Sequence, residues 1–145
     1  MLSMICPISF AFVAKDLTYT WSDQWRLRFD NSMEFTGGSF FLVGKLTTVD
    51  GARLVPGNTY ELNFVVENGS GGDVEVELVV ETTDAAYWRR AKVAGEAGLS
   101  CLPTPEFVAG EADDALRFFM RSTDASPKKG GLFVYAVIYR ASKAV

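Results

Sequence analysis

The chain has 145 residues and a formal net charge of −4, with 48% hydrophobic and 22% charged side chains. That length and balance suit a folded body with its own core and exclude a disordered chain. The acid excess, with basic residues scattered as Arg26/Arg28, Arg89/Arg90/Lys92 and Lys128/Lys129, argues against a nucleic-acid partner, which needs a clustered positive patch.

Residues 1–16, MLSMICPISFAFVAKD, open the chain with an apolar arm that carries Met1, Leu2, Met4, Ile5, Ile8, Phe10 and Phe12. The run is shorter than the roughly 20 apolar residues a bilayer span takes, has no basic start, and is interrupted by Pro7. It is expected to be neither a cleaved signal peptide nor a transmembrane helix, but a retained arm, or a first strand in ISFAFV, that docks on its own body or on a neighbour. Residues 17–145 are expected to form one β-sandwich domain.

Trp21 stands just before WRLRFD, which alternates Trp25, Leu27 and Phe29 against Arg26, Arg28 and Asp30. From Gly38, GSFFLVGKLTTV reads as a longer strand broken at Gly44. TYELNFVVE then lines up Tyr60, Leu62, Phe64 and Val66 on one face. VEVELVVE sets Val74, Val76, Leu78 and Val80 against Glu75, Glu77 and Glu81. Period-two alternation of this kind marks half-buried strands. The intervening NGSGGD, Asn68 to Asp73, supplies hairpin-turn residues. A hairpin there would gather Glu61, Glu67, Asp73, Glu75, Glu77 and Glu81 on one sheet face.

In AYWRRAKV, parity places Trp88 with Arg90 and Lys92, and Tyr87 with Ala91 and Val93. TPEFVA and DALRFFM read as further strands, with a short helix as the best reading of Glu111–Ala115. The last strand, LFVYAVIYR, is apolar on both sides. Leu132, Val134, Ala136 and Ile138 share one face; Phe133, Tyr135, Val137 and Tyr139 share the other. A sandwich strand normally keeps one wet face, so the second is expected to be covered by the arm, a sister subunit or a larger assembly. Helical spacing is nearly absent, and roughly eight strands separated by Gly/Pro/Asp turns predict an all-β chain. The expected architecture is an antiparallel β-sandwich of jelly-roll type with an N-terminal arm.

LVPGNTYELNFVVENGSGGDVEVELVV resembles the central hairpin of carbohydrate-binding-module-like jelly rolls, in which a Gly-x-x-Tyr turn, here Gly57 to Tyr60, leads into an alternating strand. The later order is similar: a Thr/Phe strand from Thr104 to Val108, an apolar strand from Leu116 to Met120, then a terminal strand. The resemblance covers Phe35 to Tyr139. It implies a sugar-binding sandwich with a structural calcium held in part by acidic residues of the last strand. Phe133 to Ile138 contains none, so neither calcium nor any other cofactor is expected.

The chain has no histidine, which removes Ser–His and Cys–His nucleophile pairs and His-based zinc sites together. Asp113–Asp114 reads as a turn pair, Gly69–Ser70–Gly71–Gly72 precedes a strand and is no phosphate loop, and no catalytic or metal-ligating residue is assigned. Cys6 and Cys101 read as small buried hydrophobes, with a disulfide between them left open.

Two non-enzymatic readings follow. The first is a structural assembly protein whose interface is formed by the arm residues named above with Phe133, Tyr135 and Tyr139. In size, architecture and arm it is similar to the jelly-roll decoration (cement) proteins of tailed-phage capsids. That resemblance implies a virion or an intracellular assembly, protein-subunit partners and a homo-oligomer. The second is a carbohydrate-binding module or receptor-binding adhesin, in which Trp88 with Arg90, and Trp21, stack on a glycan. Neither reading includes a nucleic-acid or membrane partner.

Overall fold

The structure, a computed structural model, describes residues 10–20, 22–95, 98–123 and 128–143. These residues contain twelve strands: β1 (Phe10–Val13), β2 (Thr18–Tyr19), β3 (Trp25–Leu27), β4 (Met33–Gly38), β5 (Leu42–Thr48), β6 (Thr59–Asn68), β7 (Val74–Thr82), β8 (Ala86–Val93), β9 (Leu99–Pro103), β10 (Phe107–Val108), β11 (Ala115–Ser122) and β12 (Lys128–Lys143). Every pairing is antiparallel, and the strands form two sheets. In the seven-stranded sheet β12 is central, with β6 along one edge and β4 and β1 along the other. Strand β3 lies outside β4, and β9 and β10 lie outside β6. The five-stranded sheet runs β2-β5-β11-β7-β8. The expected antiparallel β-sandwich is what the chain forms. It is finer-grained than expected because β9 and short end strands are cut out of stretches with little alternation.

The stretch expected to be a hairpin is a crossover between layers. Both edges of β6 are occupied within the seven-stranded sheet, while β7 pairs with β11 and β8 in the other. Asn68, buried on the inner face, explains why the chain leaves the sheet here. Its Nδ2 donates to the Gly72 carbonyl at 2.8 Å and to the Val93 carbonyl at 2.9 Å, and its Oδ1 accepts from Ser70 N and Oγ. One side chain thus ties the end of β6 to the turn and to β8 of the opposite layer. The glutamates are therefore divided, Glu61 and Glu67 on one outer face of the sandwich and Glu75, Glu77 and Glu81 on the other.

A second correction comes from β12. Its register shifts between Val134 and Ala136, so a β-bulge at Tyr135 inverts the alternation. Leu132 and Val134, and beyond the bulge Val137 and Tyr139, lie opposite the inward residues of β6, Asn68, Val66, Phe64 and Leu62 respectively. Phe133, Ala136, Ile138 and Arg140 fall on the outer side. Ala136 and Ile138 are nevertheless only 3% and 2% exposed, buried within a single chain. The second apolar face exists, and at Ala136 and Ile138 it is covered within the chain.

The core lies between the sheets, with Phe64 and Phe118 in contact across the layers (centroids 6.2 Å apart) and Trp25, Phe35 and Phe41 clustered at one end. Smaller expectations also shift. The break in the long strand falls at 39–41, not at Gly44, which sits inside β5. Leu27 and Phe29 are exposed, because the sheet stops at Leu27 and Phe29 rides on the turn to β4. The stretch expected as a helix, Glu111–Ala115, is a turn that leads into β11 at Ala115: the Asp114 Oδ2 accepts the Glu111 N–H and Asp114 N donates to the Glu111 carbonyl.

Candidate functional site

The site grows from three consecutive neighbours in the five-stranded sheet, β5 excepted. Strand β7 carries Glu77, Val79 and Glu81 outward, because Leu78 and Val80 are fully buried on its inner side. Strand β11 carries Arg117, Phe119 and Arg121 outward around buried Leu116, Phe118 and Met120. Strand β8 adds Ala86, Trp88, Arg90 and Lys92. Register aligns these triplets across the sheet. Trp88 faces Val79, Val79 faces Phe119, and Phe119 faces Gly44 of β5. An apolar row thus crosses four strands, with charged rows on both sides.

The charged rows are paired. Glu77 is shared, its Oε1 2.8 Å from Arg121 Nε and its Oε2 3.7 Å from Arg90 Nε. On the other side Arg117 Nη1 lies 3.3 Å from Glu81 Oε1. Both β11 arginines also cover the Phe119 ring, with guanidinium carbons 4.8 and 5.5 Å from its centroid. Phe119 and Val79 are consequently buried, although they are on the outer face. Gly44 makes this possible, since a Cβ there would come within 2.5 Å of the Phe119 Cβ. Trp88, at the sheet edge, stays 61% exposed. Beside the Arg117–Glu81 pair lies a groove of about 440 Å³, walled by Leu46, Ala115 and the Thr82–Ala86 turn.

Trp88 and Arg90 therefore lie on one outer face, as parity required, and Trp21 lies outside the described residues. Of the proposed interface set, Met1, Leu2, Met4, Ile5 and Ile8 are outside the described residues, and Phe10 pairs with Ile138 through the backbone. The others have partners within the chain. Phe12 packs on Phe118 (centroids 5.5 Å apart), Arg28 lies 4.9 Å over the Phe133 ring, and Tyr139 meets Tyr60 edge-on. The Tyr135 hydroxyl donates to Glu67 Oε1 at 2.8 Å. Burial, followed by that bond to Glu67, pushes the Tyr135 phenol up to about 12. Nearby, Arg26 and Arg28 hold the Glu34 carboxyl below its usual range. Cys101 is disulfide-bonded, not a free thiol, and the sequence has one other cysteine, Cys6, outside the described residues.

Sequence reasoning missed Phe119, Val79, Arg117, Arg121 and the groove. A signal was present: Glu-Leu-Val-Val-Glu at 77–81 and Arg-Phe-Phe-Met-Arg at 117–121 are matched charged–apolar–charged triplets at period two. Among the described residues no group of three or more acidic or cysteine side chains could hold a metal ion, and no helix is long and apolar enough to cross a membrane.

No family model and no curated protein matches the chain. Solved structures do. A family 61 carbohydrate-binding module in complex with β-1,4-galactotriose superposes with a TM-score of 0.52 at 12% identity, over 95% of this chain and 90% of that one. The CBM22-1 xylan-binding domain of Xyn10C from Paenibacillus barcinonensis gives 0.52 at 13% identity, over 92% and 86%. The GH26-CBM35 β-(1,4)-mannanase of Podospora anserina gives 0.59 at 9% identity, with 92% of this chain matched to 27% of that larger one. At such identities the likeness is one of fold, and the fold is the β-sandwich of carbohydrate-binding modules.

Proposed function

We propose that the chain is a non-catalytic carbohydrate-binding module that holds a glycan on the outer face of the five-stranded sheet. The observation that carries the reading is the exposed Trp88 ring at the end of an apolar row flanked by arginine–glutamate pairs. A pyranose has an apolar C–H face and a rim of hydroxyls. The indole stacks on the first, and paired donors and acceptors meet the second. One sugar rests on Trp88. The chain continues across the strands over the Arg117 and Arg121 guanidinium groups that cover Phe119, with Arg90 and Glu77 reaching hydroxyls on one side and Glu81 on the other. The groove at the Thr82–Ala86 turn takes a substituent or a chain end. The protein's own contribution is orientation and desolvation; nothing on this face is arranged for a covalent step. Similarity in fold to domains whose structures are described with galactotriose or as xylan-binding supports the reading.

An assembly role drew on an uncovered second face of β12. With Ala136 and Ile138 buried within one chain, nothing in the described residues asks for a partner there. Affinity electrophoresis against immobilised neutral polysaccharides tests the glycan reading. The native chain is expected to be retarded by at least one polymer, and Trp88→Ala to lose about tenfold in affinity, near 1.4 kcal/mol. Equal migration of both proteins in every polymer would refute it.

A further inference from the structure

We infer that this platform selects an uncharged glycan and rejects uronate and sulfate polymers; the inference rests on the glycan reading above. Four cations stand on or at the end of the face, Arg90, Lys92, Arg117 and Arg121, and four carboxylates stand with them, Asp73, Glu75, Glu77 and Glu81. Arg90 and Arg121 share the two oxygens of Glu77, Arg117 pairs with Glu81, and Lys92 lies 4.0 Å from Asp73 and opposite Glu75 in register. Two arginines share one carboxylate at Glu77, but over the face as a whole four cations meet four carboxylates, and the whole chain is acidic at −4.

Capture of an anionic polymer draws on unneutralised guanidinium groups. Here Glu77 and Glu81 stand among the three arginines and Asp73 and Glu75 bring the face to charge balance, so an incoming uronate would meet these carboxylates as like charges. A hydroxyl has the opposite needs. It donates and accepts at once, so a guanidinium N–H beside a carboxylate oxygen satisfies both functions. The ion pairs use Nε of Arg90 and Arg121 and Nη1 of Arg117, and each guanidinium carries five N–H donors. The remaining donors are left for the ligand. The pairing also pre-orders the side chains, which lowers the entropy lost when a sugar arrives.

The test compares native protein with Glu77→Gln/Glu81→Gln, which leaves side-chain shape intact and removes two negative charges. The single variant Glu81→Gln, at the more exposed carboxylate, serves if the double variant melts early. Affinity electrophoresis is run in unsubstituted β-1,4-xylan and β-1,4-galactan and in polygalacturonate, at low and high salt. The native protein is expected to be retarded by a neutral polymer, with affinity constant to about twofold across salt, and to pass polygalacturonate freely. The glutamine variants are expected to gain roughly tenfold or more in retention by polygalacturonate at low salt, a gain that high salt abolishes. Stronger, salt-sensitive retention of the native protein by polygalacturonate overturns the inference and leaves glycan binding standing. Free passage of native and variant proteins through every polymer overturns both.

Discussion

On the outer face of the five-stranded sheet, Trp88 stands in solvent between paired arginines and glutamates. On the outer face of the seven-stranded sheet, Ala136 and Ile138 are buried, Phe133 lies under Arg28 and Tyr135 is held by Glu67. Both faces are written in period-two sequence and both place apolar residues outward. They differ in what lies above those residues. On the first, long cationic side chains lie over Phe119, leaving an aromatic edge and a rim of hydrogen-bonding groups. On the second, the apolar residues are removed from water within the chain, so that face contributes to stability. The same grammar thus leaves exposed aromatic and charged groups on one side, where we propose recognition, and serves folding on the other.

That contrast can be broken most forcefully at Ile138. Replacing it by Ala deletes buried side-chain volume and is expected to cost about 2–5 kcal/mol in urea unfolding. Trp88→Ala, on the other face, is expected to change stability by less than about 0.5 kcal/mol despite its larger side chain. Equal costs at the two positions would erase the distinction between the faces. Gly44→Ala comes next. The added Cβ would press on the Phe118 carbonyl oxygen as well as on the Phe119 Cβ, so β11 backbone must shift, and the strain is expected to cost about 3 kcal/mol. Because the displaced ring belongs to the apolar row, glycan retention should weaken in the same variant, whereas a purely structural Gly44 would change the melting temperature alone.

The smallest effect concerns pH on the seven-stranded side. The Tyr135 phenol titrates higher in the folded chain than in the unfolded one, where its ordinary value is near 10. The stability linked to it is therefore complete below pH 10 and is lost as pH climbs through 10 toward 12. Tyr135→Phe is expected to reduce the alkaline loss, followed by thermal melts across that range, without abolishing it, since burial raises the Tyr19 phenol as well, and to leave the melts near neutral pH little changed. Glycan binding on the opposite face should not respond to the substitution.

Much of the fold was legible because alternation is a local property. Tyr60, Leu62, Phe64 and Val66 point inward as their spacing requires, and Trp88 shares an outer face with Arg90. Pairing was not legible. Whether β6 turns back on β7 or crosses to the other sheet depends on Asn68 reaching Val93, a partner 25 residues away. The bulge at Tyr135 was hidden for a related reason. One extra residue in β12 inverts every side chain beyond it, and nothing within LFVYAVIYR marks where the ladder slips. Alternation alone puts Phe118 and Phe119 on opposite sides of their strand, but the cover over Phe119, Arg117 and Arg121, becomes visible only when charged–apolar–charged triplets on two strands are aligned.

The most direct measurement is an NMR titration of the three tryptophan indole N–H signals with a neutral β-1,4-linked oligosaccharide. The account predicts that the Trp88 signal shifts to saturation together with backbone amides of 77–81, 88–90 and 117–121, while the signal of buried Trp25 stays in place. Saturable shifts centred on Phe133, Tyr135 and Arg28, with Trp88 unmoved, would contradict it.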